Sequence, residues 1–411
     1  MENSKCKGMK DFLPEDMSAF RHIEKLFLDC CYNYGYQEVR TPTLEYLHLF
    51  TATGTLTPSM IDKVYSFLDW DGWSGERVVL RPDGTIPIAR LYIDRLNTLM
   101  TAKLCYVTNI FAFEATGKAN RERWQCGAEF IGGTRLAADV EMISLAKEII
   151  ERVGISNVNV QLSHAGLLKA LIKEIAIDSE EETSLIDNVL DGNWQALIRK
   201  EEGETGKFLP LLLNLKGKSR KFLENIRSLY PQASPELKSH MEDFINITTL
   251  LDGLYFDYEI DITAIQNFEY YTGMCFQLSA EGIKIGGGGR YDDLIPLMDG
   301  GIRPACGFAL YIDSILKSVS LDRSERQKRA VLIKGDNTIP QRMENFFILA
   351  ESLRKAGYSV DINFTQTELL EYRWIISACR EDMTSFDVFD QKQQEHWNTI
   401  SQAEVLKVLV Q

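Results

Sequence analysis

Seven side chains between positions 83 and 291 have the types and spacing to hold a small charged molecule. Asp83, Thr85 and Glu129 offer the acceptors that an α-ammonium group needs, with Gln125 as a further polar contact. Tyr270, Tyr271 and Tyr291 offer an aromatic wall and hydroxyls suited to an imidazole ring. The glycine run 286–289 lets backbone approach a ligand closely. Read together, these residues make a pocket for a small zwitterion. Plainer readings stand beside that one. Glycine runs next to tyrosines are more often turns, and this run is no P-loop, because no Lys-Ser or Lys-Thr follows it. Gly127 and Phe308 read as packing residues. Arg290 is either an ion-pair partner of Asp292 or a carboxylate-binding group. No catalytic residue, cofactor or metal site is expected. The five histidines, at 22, 48, 164, 240 and 396, sit too far apart in sequence to point to a metal.

The elements that must position these residues can be read from periodicity. Met17, Phe20, Ile23, Leu26, Phe27, Cys30 and Cys31 recur at helical spacing up to Gly35, and 139–153 repeats the pattern up to Gly154. Residues 103–109 read as a strand, and 157–163 and 256–263 alternate with period two. Such alternation predicts an antiparallel sheet with one buried face, not a doubly wound parallel one. The stretch from about 165 to 253 is helical and charge-rich, an insertion between two sheet-forming halves. A polar linker near 319–328 separates a core of residues 1–320 from a small α/β domain at 328–411, which begins β-α-β.

Composition sets outer bounds. With 45% hydrophobic and 25% charged residues, the 411-residue chain can build real cores. No apolar run reaches membrane-spanning length, and the start lacks a signal peptide's apolar stretch. Eight scattered cysteines without a C-x-x-C pair fit reduced thiols in a cytosolic protein. A net charge of −14 argues against broad nucleic-acid binding.

Collinear segments then carry a family resemblance. GMKDFLPED (8–16), GYQEVRTPTLE (35–45), LRPDGT (80–85), FAFE (111–114) with RERWQCGAEFIG (121–132), QNFEYYTG (266–273), IGGGGRYDDL (285–294) and PACGFALYIDSIL (304–316) resemble histidyl-tRNA synthetases. The resemblance implies an α+β fold of the class II aminoacyl-tRNA synthetase type: an antiparallel sheet flanked by helices, with dimerisation through the second segment. It also places Asp83, Thr85, Gln125, Glu129 and Tyr271 on histidine-contacting positions. The family usually has Glu where Asp83 stands, one methylene longer.

The departures from the family decide the expected function. Adenylation requires cations aimed at the triphosphate of ATP, and three arginines serve there in the synthetase. Ala112, Gln266 and Ser314 occupy their positions here, and the loop 115–120 (ATGKAN) lacks most of the usual basic residues. Losing a single preorganised donor costs about 10²–10³ in rate. The C-terminal domain holds ten Lys and Arg against twelve Asp and Glu, a poor electrostatic match to RNA. An intact histidine pocket without its ATP clamp resembles the regulatory subunits of ATP phosphoribosyltransferase, the enzyme that opens histidine biosynthesis. That resemblance implies no aminoacylation, L-histidine as effector, and a homodimer within a hetero-oligomer with a short-form catalytic subunit. It implies no tRNA and no membrane partner.

Overall fold

Apolar positions three and four apart bury one side of the first helix, α1 (Pro14–Asn33), where Phe20, Ile23, Phe27, Cys30 and Cys31 are inaccessible to solvent. The helix stops where the sequence says it should. Gly35 takes the left-handed φ of +81°, and the amides of Gly35 and Tyr36 turn back onto the carbonyls of Tyr32 and Cys31. The computed structural model describes residues 5–53, 56, 61, 63–70, 75–113, 120–190, 193–194, 197, 216–217, 220–229, 231–264, 271–319, 330–334, 340–363, 372–378 and 384–410. The chain divides into two compact units, Met1–Val319 and Ser320–Gln411.

In the first unit, β1 (Gln37–Glu38) leads into a small antiparallel sheet of β2 (Leu44–Tyr46), β3 (Ser66–Trp70) and β4 (Gly75–Leu80). Helix α2 (Thr85–Leu91) precedes the long hairpin β5 (Ala102–Phe111) and β6 (Glu122–Ile131), and α3 (Arg135–Arg152) follows it. After β7 (Asn159–His164) come helices α4 (Ala165–Ile175) and α5 (Ser179–Leu190), then the short β8 (Lys216–Gly217). Helices α6 (Arg220–Leu229) and α7 (Pro235–Gly253) complete that largely helical stretch. The chain returns through β9 (Glu259–Asp261), β10 (Met274–Ala280), β11 (Ile283–Arg290), β12 (Ala305–Tyr311) and α8 (Ile312–Ser318). These strands form a nine-stranded sheet in the order β1-β5-β6-β12-β11-β10-β7-β9-β8. All its pairings are antiparallel except β1 with β5 and β7 with β9.

Register sorts every side chain of this sheet to one of two faces, because neighbours along a strand point oppositely. One row across five pairings reads Cys105, Ala128, Phe308, Gly288, Phe276, Leu162. It is apolar throughout, and α1 and α3 close over it to make the main core. The adjacent rows belong to the other face. They read Leu104, Glu129, Gly307, Gly289, Cys275, Ser163 and Tyr106, Gly127, Ala309, Gly287, Gln277, Gln161. Polar residues and glycines dominate there. Six cysteines, at 30, 31, 105, 126, 275 and 306, are buried and unpaired, whereas Cys6 is exposed.

The second unit begins with parallel β13 (Ala330–Lys334) and β14 (Ser359–Asn363) around α9 (Pro340–Lys355). It continues with β15 (Trp374–Ala378), β16 (Ser385–Asp390), β17 (Glu395–Ser401) and α10 (Gln402–Val410). The strand order is β14-β13-β15-β16-β17, and its own core holds Val331, Ile333, Phe346, Leu349, Trp374 and Val405.

Candidate functional site

Glu129 is the centre of the polar face. It stands midway along β6, 1% exposed, and three hydroxyls converge on its carboxyl group. Thr85 Oγ1 donates to Oε1 over 2.8 Å, the Tyr106 hydroxyl to the same oxygen over 3.1 Å, and the Tyr291 hydroxyl to Oε2. Opposite it in register lies Gly307, where any side chain would run into the Glu129 carboxyl. Burial pushes this group up to about 8, and the hydroxyl donors oppose that shift only in part. At neutral pH Glu129 is therefore chiefly a neutral acid. A cation brought against it would favour the carboxylate again, so the residue can trade a proton for a bound ammonium group.

The other acceptors arrive from the segment before α2. Asp83 turns one carboxylate oxygen onto the Ile86 amide at 2.9 Å and so holds the first turn of the helix that carries Thr85. Burial raises the Asp83 carboxyl, and the amides of Ile86, Thr85 and Gly84 hold it back. Gln125, 3% exposed, follows Glu129 on the same face by strand parity, and its amide borders Gly84. Tyr271 is half-buried and packs against both apolar clusters of the unit, with Gly289 beside its ring. Tyr291 is 2% exposed and is joined to Glu129 as described. Asp83, Thr85, Gln125, Glu129, Tyr271 and Tyr291 thus meet around one face of the sheet. Tyr270 and Gln266 lie outside the described residues, as does most of the loop 115–120.

The structure chooses between the two roles open to Arg290. Its guanidinium pairs with Asp139 of α3 at 2.7 Å and with Asp292 at 2.9 Å, and donates to the Arg135 carbonyl at 3.0 Å. It points away from the polar face and is a buried structural cation. Gly127 and Phe308 are packing residues. Gly127 lies under the Tyr106 ring, and Phe308 is buried in the core on the opposite face. Ala112 ends the β5–β6 ladder with its amide on the Arg121 carbonyl, and Ser314 sits in the first turns of α8. Neither brings a charge.

Three residues of this face escaped the sequence reading: Tyr106, Tyr311 and Lys284. Period-two parity from Leu104 would have placed Tyr106 beside Glu129, and parity along β12 places Tyr311 beside Gln125. The histidines also need a correction. His164 and His240, distant in sequence, have ring centroids 5.3 Å apart, and with Asp243 their ligand atoms lie within 4.8 Å of one another. Sequence separation was a poor guide, because α7 folds back against α4. His164 Nδ1 is already occupied there, accepting the Leu167 amide at 3.0 Å as the cap of α4.

Comparison with known proteins supplies the family and the fold. The sequence pattern of the histidyl-tRNA synthetase family matches residues 8–315. The ATP phosphoribosyltransferase regulatory subunit of Dehalococcoides mccartyi is 44% identical over 411 residues, 99% of this chain and 98% of that protein. The histidine–tRNA ligase of Methanocaldococcus jannaschii is 32% identical, covering 89% of this chain and 87% of its own. Among solved structures, an ATP phosphoribosyltransferase regulatory subunit/histidyl-tRNA synthetase from Bacillus halodurans superposes with a TM-score of 0.78. It is 24% identical and covers 92% of this chain and 98% of its own. Histidyl-tRNA synthetase from Nostoc sp. gives the same TM-score at 18% identity, covering 100% of this chain and 99% of its own. The class II fold expected from the motifs is borne out.

Proposed function

We propose, for a chain that belongs to the ATP phosphoribosyltransferase regulatory subunit family of histidyl-tRNA synthetase-like proteins, that it regulates the first step of histidine biosynthesis without catalysing it. One observation carries this reading. The hydroxyls of Thr85, Tyr106 and Tyr291 converge as donors on Glu129, while Ala112 and Ser314 put no cation where the resemblance to the family would have one for a triphosphate. The near end-to-end identity to regulatory subunits supports it, because that match extends through the second unit as well.

In this reading L-histidine enters the polar face with its ammonium group toward Asp83, Thr85 and Glu129, and its ring against the tyrosines. The partner is the short-form catalytic subunit, and the chain works in the cytoplasm as a homodimer within a hetero-oligomer. Exposed Phe67, Leu68 and Trp70 on β3 give it an apolar surface to bury in such an assembly. Among the described residues no helix is long and apolar enough to cross a membrane. Histidine can regulate the catalytic chain only by binding the active and inactive arrangements unequally, and the partner's substrates must then shift histidine affinity by the same factor.

The test is phosphoribosyl transfer to ATP by the short catalytic chain, with and without this protein, across a histidine titration. A rate or a histidine sensitivity that depends on this protein is expected. If neither changes and the two chains do not co-purify, the reading fails. Histidine-driven ATP–pyrophosphate exchange should stay at the no-enzyme level; exchange well above it would return the chain to the ligases.

A further inference from the structure

We propose that Lys284 receives the α-carboxylate of the bound amino acid, in a cleft that continues the polar face beyond Glu129. The inference rests on the histidine-pocket reading and completes it. A zwitterion needs a cation as well as acceptors. Arg290, the cation nearest in sequence to the glycine run, is held by Asp139 and Asp292 on the opposite side of the sheet.

The cleft, of about 30 Å³, is lined by Tyr271, Gln277, Lys284, Gly287 and Tyr311, together with Gln161 and Ser163. Lys284 is the one cation among the described residues that line it. The lysine Nζ lies 5.9 Å from the centre of the Tyr311 ring. Tyr271 lines the cleft and also borders the acidic centre, since its hydroxyl feels Tyr311, Cys275, Asp83 and Glu129. Gly287 of the cleft and Gly289, which pairs with the Gly307 that faces Glu129, are alternate residues of β11 on this face, about 7 Å apart.

Charge is arranged in the same sense. Carboxyl groups lie at the Glu129 end. Lys284 lies at the other, with exposed Arg123 near enough to disfavour its protonation further. Burial pushes the Lys284 ammonium down to about 8, the direction expected of a cation that an incoming anion would stabilise.

The experiment is calorimetry on the full-length chain, alone and with its catalytic partner, using L-histidine and L-histidinol. Histidinol keeps the ring and the ammonium group and lacks the carboxylate. Wild type should prefer histidine by about tenfold to a hundredfold, the range for a hydrogen bond to a charged group. Lys284→Met should erase that preference while leaving histidinol affinity unchanged, and Lys284→Arg should keep most of it. A full preference surviving in Lys284→Met overturns the proposal. So does an equal loss for both ligands, which would mean a structural role. If wild type binds neither molecule, the pocket reading itself has failed.

Discussion

The two faces of the nine-stranded sheet are cut from the same strands, alternate residue by alternate residue, yet they meet different demands. On one, Cys105, Ala128, Phe308 and Leu162 fill space against α1 and α3, and any apolar side chain of similar volume would serve. On the other, Glu129, Gly307 and Gly289 hold positions where neither volume nor polarity can change without moving a neighbour. A fold can therefore keep its packed face while chemistry on the open face is reassigned. Ala112 ends the β5–β6 ladder through its backbone and Ser314 stands in α8, so neither position asks its side chain for a charge to hold the architecture.

The sharpest test of that separation is Arg290→Met. Arg290 bonds to neither face's ligand groups but neutralises buried Asp139, whose carboxyl burial raises to about 6. Removing one partner of such a pair costs about 3–5 kcal/mol. Urea denaturation should show that loss, with histidine affinity unchanged in the folded protein at low urea. A cost under about 1 kcal/mol would mean that the ion pair is dispensable and the two faces are less distinct than drawn.

Glu129 should show the reverse pattern, a cost to stability in exchange for binding. Its carboxyl stays protonated in the fold up to about 8, whereas the unfolded chain sheds that proton near the ordinary glutamate value of 4.5. The folded state holds the extra proton between those limits, so this group's contribution to stability falls as pH rises from about 4.5 to about 8 and levels off above. Relative to Glu129→Gln, wild type should lose on the order of 1–3 kcal/mol across that window. Denaturation midpoints at pH 5, 6.5 and 8 measure it, and Asp139 cancels because both proteins contain it. Parallel curves would show that Glu129 is already ionised.

Glu129→Ala should weaken histidine binding by roughly 1–3 kcal/mol, because the ammonium loses an acceptor and three hydroxyls lose theirs. Unchanged affinity in calorimetry would move the ligand elsewhere. The smallest effect belongs to Tyr106→Phe, which deletes one hydroxyl from the Glu129 cluster and keeps the ring over Gly127. About 0.5–1.5 kcal/mol of affinity or stability should go with it.

Much of this is legible in the sequence alone. Helical spacing from Phe20 to Cys31 and the stop at Gly35 are local signals, and both became α1. Thr85 and Glu129 were legible as acceptors, but their hydrogen bond spans 44 residues and could not be read from either segment. Arg290 shows the limit best. Its partner in sequence, Asp292, was visible, while Asp139 stands 151 residues away on a helix whose docking no local pattern states. Strand β3 gave no usable alternation, since four of its five residues are exposed. Strand 256–263 came out shorter, as β9 with a turn of 3₁₀ helix after it, because Asp261 bends the chain by accepting from Thr263.

The buried thiols have a consequence for kinetics. Cys31, Cys105 and Cys126 lie where α1 meets the sheet; burial raises the thiols of Cys30, Cys126, Cys275 and Cys306, Cys275 to about 12, and a hydrogen bond with Cys105 together with burial raises Cys31. A thiol reagent must reach the sulfur, so the six buried thiols are silent until the core opens. Exposed Cys6 reacts at once and supplies an internal reference. The slow phase of alkylation then becomes a clock for opening of the helix–sheet interface in the intact protein. Histidine, held on the far side of the same strands, should slow that clock in inverse proportion to its concentration once the site is filled, provided that opening releases it.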